Sequence, residues 1–133
     1  MFKSISFVFV AVAAVSASIV PRQSVSTPIG TTITGGFATY YNQFGGFGAC
    51  GQQNPDSALI VALQTQRYAS SLCGQSVTVT NLNNGRVVTA SIADQCPGCA
   101  NANSLDLSIG AWEAIGESTA DGSEVPINWV LNN

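Results

Sequence analysis

The run Ser76–Asp94, SVTVTNLNNGRVVTASIAD, decides how the chain is read. Val77 and Val79 alternate with Thr78 and Thr80, the period-two pattern of a strand with one buried face. Asn84-Gly85 then interrupts the pattern and offers the two positive-φ positions of a type I′ turn. On the return, Val88, Ala90 and Ile92 share one face, with Thr89 and Ser91 on the other. The segment reads as a β-hairpin with an apolar side. Asp94 continues the parity of Val88, Ala90 and Ile92, which would place its carboxylate at the end of a core-facing row.

Downstream, SIADQCPGCANANSLDLS (Ser91–Ser108) sets Asp94 and Asp106 on either side of a Cys-Pro-Gly-Cys turn. This is notable in a chain with seven acids and no histidine. LSIGAWEAIGES reads as a short helix, with Ser108 as N-cap and Gly116 as C-terminal stop. VPINWVLNN closes as a strand with Ile127, Trp129 and Leu131 on one side. Both tryptophans share a face with aliphatics and are therefore expected in the core. Upstream, GGFATYY (Gly35–Tyr41) reads as a strand and NQFGGFGACGQQNPD (Asn42–Asp56) as a long glycine-rich loop. SALIVALQTQRYASSL suits a helix by composition, while LIVAL within it also suits a buried strand. Many short strands and little helix argue for a small closed β-barrel.

The first 17 residues carry Lys3, an apolar run from Ile5 to Val15 and the small-residue end Val15-Ser16-Ala17. This is the order of a secretory signal peptide, too short to span a bilayer. Residues 18–34 are rich in Ser, Thr and Pro and read as a flexible lead-in, with the folded domain at 35–133. Without Lys3, three basic residues face seven acids. That balance argues against nucleic-acid or anionic-membrane partners, which need clustered cations. Four cysteines in a small secreted domain imply two disulfides in one of three connectivities. The single Cys-x-x-Cys has no second pair or histidine to complete a zinc site, so no metal or other cofactor is expected. A redox role would need a helix start behind the motif, where the chain instead continues as ANANS.

VTVTNLNNGRVVTASIADQCPG followed by SLDLSIGAWEAIG resembles the rare-lipoprotein-A-like domain, a six-stranded double-psi β-barrel with one or two short helices. FATYY and GACG resemble the opening of the related first domain of expansins. A secreted barrel without a second domain is most similar to the loosenins, fungal single-domain relatives of expansins. The resemblance covers about Gly36 to Asn132. It implies a monomer that binds cellulose, chitin or mixed cell-wall polysaccharide and loosens it without cutting. It also implies that Thr39, Asp94 and Asp106 line the sugar groove, with Asp106 needed for loosening. The resemblance further implies the pairings Cys50–Cys73 and Cys96–Cys99. The chain departs from the family at Ser104-Leu105, where plant expansins carry His-Phe, and at Cys96, where bacterial relatives carry tyrosine. With no carbohydrate-binding second domain, weak binding to flat cellulose is expected.

Tyr41 and Phe47, in or beside the glycine-rich loop, are the candidate sugar platforms. If Asp94 and Asp106 share a site, one of the pair is expected to ionise above the ordinary carboxylate range. Two other functions fit the same resemblance. Asp106 is a candidate general acid for a glycoside hydrolase or lytic transglycosylase, with Asp94 as the second carboxylate. Barrels of this kind, including kiwellins and a bacterial papain inhibitor, also act as protein-binding modules. An inhibitor would work through the loops Gln43–Gln53 and Pro97–Asn103.

Overall fold

A computed structural model describes residues 24–133; the signal peptide expected at 1–17 and residues 18–23 lie outside the described residues. The chain forms strands β1 (Thr32–Tyr41), β2 (Ile60–Gln64), β3 (Ser76–Asn81), β4 (Val87–Cys96), β5 (Leu105–Ser108) and β6 (Val125–Leu131). A 3-10 turn covers Ser70–Leu72, and a single described α-helix, α1, spans Ile109–Ala114. The strands close in the order β1-β5-β2-β4-β3-β6. Pairs β1/β5 and β2/β4 are parallel, and the other four are antiparallel. Closure leaves no sheet edge to manage. This is the all-β double-psi barrel.

The interior is filled by alternate residues of every strand, among them Val61, Leu63, Val77, Val79, Leu105, Leu107 and Ile127, all fully buried. Burying a side chain of this size stabilises by about 1.5–3 kcal/mol. Trp112 and Trp129 lie in the same core. Their indole N–H groups donate to Ser118 O at 3.0 Å and Asn103 O at 2.8 Å, so neither ring costs an unsatisfied donor. Ser108 caps α1, its hydroxyl accepting from Ala111 N. Gly116, at φ 83°, follows the helix and donates to Glu113 O.

One open reading is settled and two expectations need correction. LIVAL resolves in favour of strand: Ile60–Gln64 is β2, buried on both faces between β4 and β5. A strand so enclosed is apolar throughout, which is why its periodicity is silent. The hairpin turn is not type I′. Only Gly85 has positive φ, and Asn81 N and O bond Arg86 O and Gly85 N across a wider loop. Asn81 is the cause: its buried side chain accepts from Asn83 N and donates to Ile115 O and Glu117 Oε1. The side-chain amides outbid the dipeptide's own preference. Finally, the lead-in is held well before Thr34. Val25 N donates to Gln66 O, Arg67 donates to Ser26 O, and β1 begins at Thr32 with Ile33 in the core.

Candidate functional site

The site is built from one row of residues across four neighbouring strands. Thr39 on β1 pairs with Asp106 on β5, Asp106 with Ala62 on β2, and Ala62 with Asp94 on β4. Paired residues project to the same side of a sheet. The neighbours Val61, Leu63, Leu105, Leu107 and Ala38 face the core, so this row faces outward. Two residues along β1, Tyr41 joins the same face, while Tyr40 between them packs on Trp112.

The position of Asp94 overturns its sequence parity. Val61 pairs with Ile92 but Ala62 pairs with Asp94, so Ala93 is an extra residue in β4. Such a bulge shifts every following side chain to the opposite face. Asp94 therefore leaves the core row and joins Asp106 outside. The bulge also frees the carbonyl of Ala93, which accepts from Cys50 N at 3.2 Å. Asp94 Oδ1 accepts from Ala49 N at 2.7 Å and from Gln95 N at 2.8 Å. Gly48 makes this docking possible: a Cβ there would stand 2.4 Å from Ala93 O. Disulfide Cys50–Cys73 secures the same loop, and Tyr68 Oη donates to Ala49 O.

Asp106 is half-buried. Thr39 Oγ1 donates to its Oδ1 at 2.9 Å, and its Oδ2 lies 4.0 Å from Cys96 Sγ. That sulfur is in disulfide Cys96–Cys99 and has no proton to give, so the contact is van der Waals only. Burial pushes the Asp106 carboxyl above its ordinary pKa; the Thr39 hydrogen bond works against this and the charge of Asp94 adds to it. Tyr41 is more strongly affected. Burial pushes its phenol up to about 12, opposed by the nearby Gln43 and reinforced by the negative charges of Asp94 and Asp106. Those neighbours act through proximity. Tyr41 Oη and Gln43 Nε2 are both buried without a hydrogen-bond partner among the described residues. Both atoms lie beneath the surface close to one another, so they set the polarity under the site and present no donor at its surface.

Thr39, Tyr41, Asp94 and Asp106 thus come together, with Cys96–Cys99 at their border. Phe47 stands apart on the glycine-rich loop and is 74% exposed. Sequence reading placed Gln43 and Phe44 only in the inhibitor loop and not among the sugar contacts; Phe44 is 89% exposed. Phe44 carried the same signal as Phe47, an aromatic among glycines. Beside Gln43, a depression of about 440 Å³ opens against Phe44, Gln53 and Asp56. It adjoins the carboxylate row without including it.

No protein-family profile matches the chain. Over 91 residues it is 36% identical to the putative ripening-related protein 6 of Oryza sativa subsp. japonica, covering 64% of this chain and 53% of the relative. The chain therefore spans about half the length of that curated relative. The Streptomyces papain inhibitor superposes with a TM-score of 0.68 at 32% identity, covering 80% of this chain and 99% of the inhibitor. A mutant Clavibacter michiganensis expansin in complex with cellohexaose superposes with a TM-score of 0.63 at 34% identity, covering 76% of this chain and 50% of the expansin. The apo form of that expansin gives 0.64. With this strand order and these likenesses, the chain belongs to the expansin-like, barwin-like family of double-psi β-barrels.

Proposed function

We propose that the protein is secreted and binds cell-wall polysaccharide along the Thr39–Asp106–Asp94 row, loosening the wall without cutting it. The observation that carries this reading is the alignment of Thr39, Asp106 and Asp94 on one outer face, with the Thr39 hydroxyl 2.9 Å from Asp106 Oδ1. A hydroxyl and two carboxylates on one outer face match the alternating hydroxyls of a glucan chain. The likeness to an expansin in complex with cellohexaose supports the same ligand class. Two disulfides fit an extracellular site of action.

Efficient glycoside cleavage uses two free carboxylates, one as acid and one as base or nucleophile. Here one oxygen of Asp94 is committed to two backbone amides that hold the loop. Asp106, with its raised pKa, is left as a lone acid able to share a proton with a sugar oxygen. A lone acid perturbs hydrogen bonds between glucan chains more readily than it breaks a glycosidic bond. The test is weakening of filter paper and isolated wall material. Asp106→Asn should abolish it while the fold is kept, and weakening that survives would sink the groove reading. Steady release of soluble oligosaccharide by the wild type would move the protein to the hydrolases or lytic transglycosylases.

A second reading rests on the papain inhibitor, which this chain covers almost entirely. It assigns function to the Gln43–Gln53 loop, whose Phe44 and Phe47 project into solvent. Inhibition of papain that persists in Asp106→Asn would favour it.

A further inference from the structure

The glycine-rich loop is braced at every turn, yet it holds two large aromatic side chains out in water. Gly46 N donates to Gln43 O, Gly48 N to Gln52 O, and Gln53 Nε2 to Gly45 O at 2.6 Å. Gln43 N donates to Asp56 Oδ1 at 2.6 Å, and Phe47 pairs with Gln53. Phe44 sits at φ 50°, a conformation unfavourable for a bulky residue. Neither ring is used in the core, so the loop spends rigidity on keeping them exposed.

The depression beside them brings an aromatic ring, the Pro55 ring, three side-chain amides (Gln43, Gln53, Asn54) and the Asp56 carboxylate to one concavity. Its volume of about 440 Å³ lies within the range of roughly 300–1,000 Å³ typical of small-molecule sites. Planar apolar surface with planar amides suits a pyranose, which offers an apolar ring face and an edge of hydroxyls. No cation lines the depression. Of the described guanidinium groups, Arg67 is bound to Ala102, Ser26 and Asn103, and Arg86 lies against Gly116. An anionic ligand is therefore disfavoured. Gln43 belongs to both places: it lines the depression and its Nε2 lies buried by Tyr41.

We infer that the depression is a second sugar subsite, in which a neutral glucan chain leaving the carboxylate row passes Gln43 and stacks on Phe44. This rests on the carboxylate row binding glycan and adds that recognition extends beyond it. Binding should then grow with chain length. Amide chemical shifts followed on titration with cellobiose and cellohexaose provide the test. Cellohexaose should bind the wild type more tightly and shift Phe44, Gly45 and Asn54, whereas cellobiose should shift residues near Asp94 and Asp106 alone. Phe44→Ala should weaken cellohexaose by about three- to tenfold, the scale of one aromatic contact, and leave cellobiose unchanged. Phe44→Tyr should restore the affinity. Cellohexaose binding unaltered by Phe44→Ala overturns the subsite and leaves the carboxylate row intact. Absence of binding by either sugar to the wild type overturns both, whereas papain shifting the loop amides where cellohexaose does not overturns the subsite alone.

Discussion

Asp94 is expected to do a structural job separable from its charge, and two substitutions divide the roles. Asp94→Ala removes the acceptor for Ala49 N and Gln95 N. A hydrogen bond to a charged group contributes about 1.5–3 kcal/mol. Water can replace the more exposed bond from Ala49 N, so the net cost should be that of a single bond, about 1.5–3 kcal/mol. For a domain of the described 24–133 span, unfolding entropy near 2.1 cal/mol/K per residue converts this to a fall of about 6–13 °C in Tm. Asp94→Asn keeps an oxygen in place and should lose well under half as much. Thermal unfolding checks the size, and hydrogen exchange checks the place. In Asp94→Ala the amides of Ala49 and Cys50 should lose protection, while β3 and β6 exchange as before. Disulfide Cys50–Cys73 still tethers the loop, so the loss should remain local. Equal melting of Asp94→Ala and wild type, with Ala49 exchange unaltered, would show that the clamp is not there.

Other consequences are as direct. Asp106 has its folded-state pKa raised, so its contribution is full below the ordinary carboxylate pKa and is lost as pH rises through the folded value. Asp106→Asn should accordingly gain stability on wild type at neutral pH, the gap closing as pH falls into the carboxylate range, as read by urea midpoints across pH. Gly48→Ala brings a methyl to 2.4 Å of Ala93 O, so the loop must lift from the bulge; the Cys50 and Ala49 amides should lose protection and wall weakening should fall. Replacing Cys50 and Cys73 by serine should cost more stability than replacing Cys96 and Cys99. Chain entropy gives about 3.5 kcal/mol for the longer loop against about 2 kcal/mol for the short ring, and calorimetry of the two double variants ranks them. The Cys96/Cys99 variant should nonetheless lose activity, since its ring holds the turn between the two aspartates.

The hairpin strands, the helix cap at Ser108, the stop at Gly116 and the burial of both tryptophans were legible in the sequence. Each is local or periodic: alternation, a capping hydroxyl, a residue type on an apolar face. Asp94 and Asp106 stood out as the acids flanking the Cys-Pro-Gly-Cys turn, but their grouping with Thr39 was reached through family likeness, because nothing local says that residues on β1, β4 and β5 become neighbours. Only the closed barrel order places them in one row. The face of Asp94 was decided later still. Parity counting turned it inward, and one bulged residue at Ala93 turned it outward. A bulge leaves no mark in composition, because its stabilising partners are the amides of a loop more than forty residues away. The Asn84-Gly85 turn failed for the same reason, overruled by the bonds of buried Asn81 to Ile115 and Glu117. Alternation and caps follow from the nearest few residues. Register, facing and the gathering of Tyr41, Gln43 and the two carboxylates follow from contacts between residues far apart in the chain, which only the tertiary structure brings together.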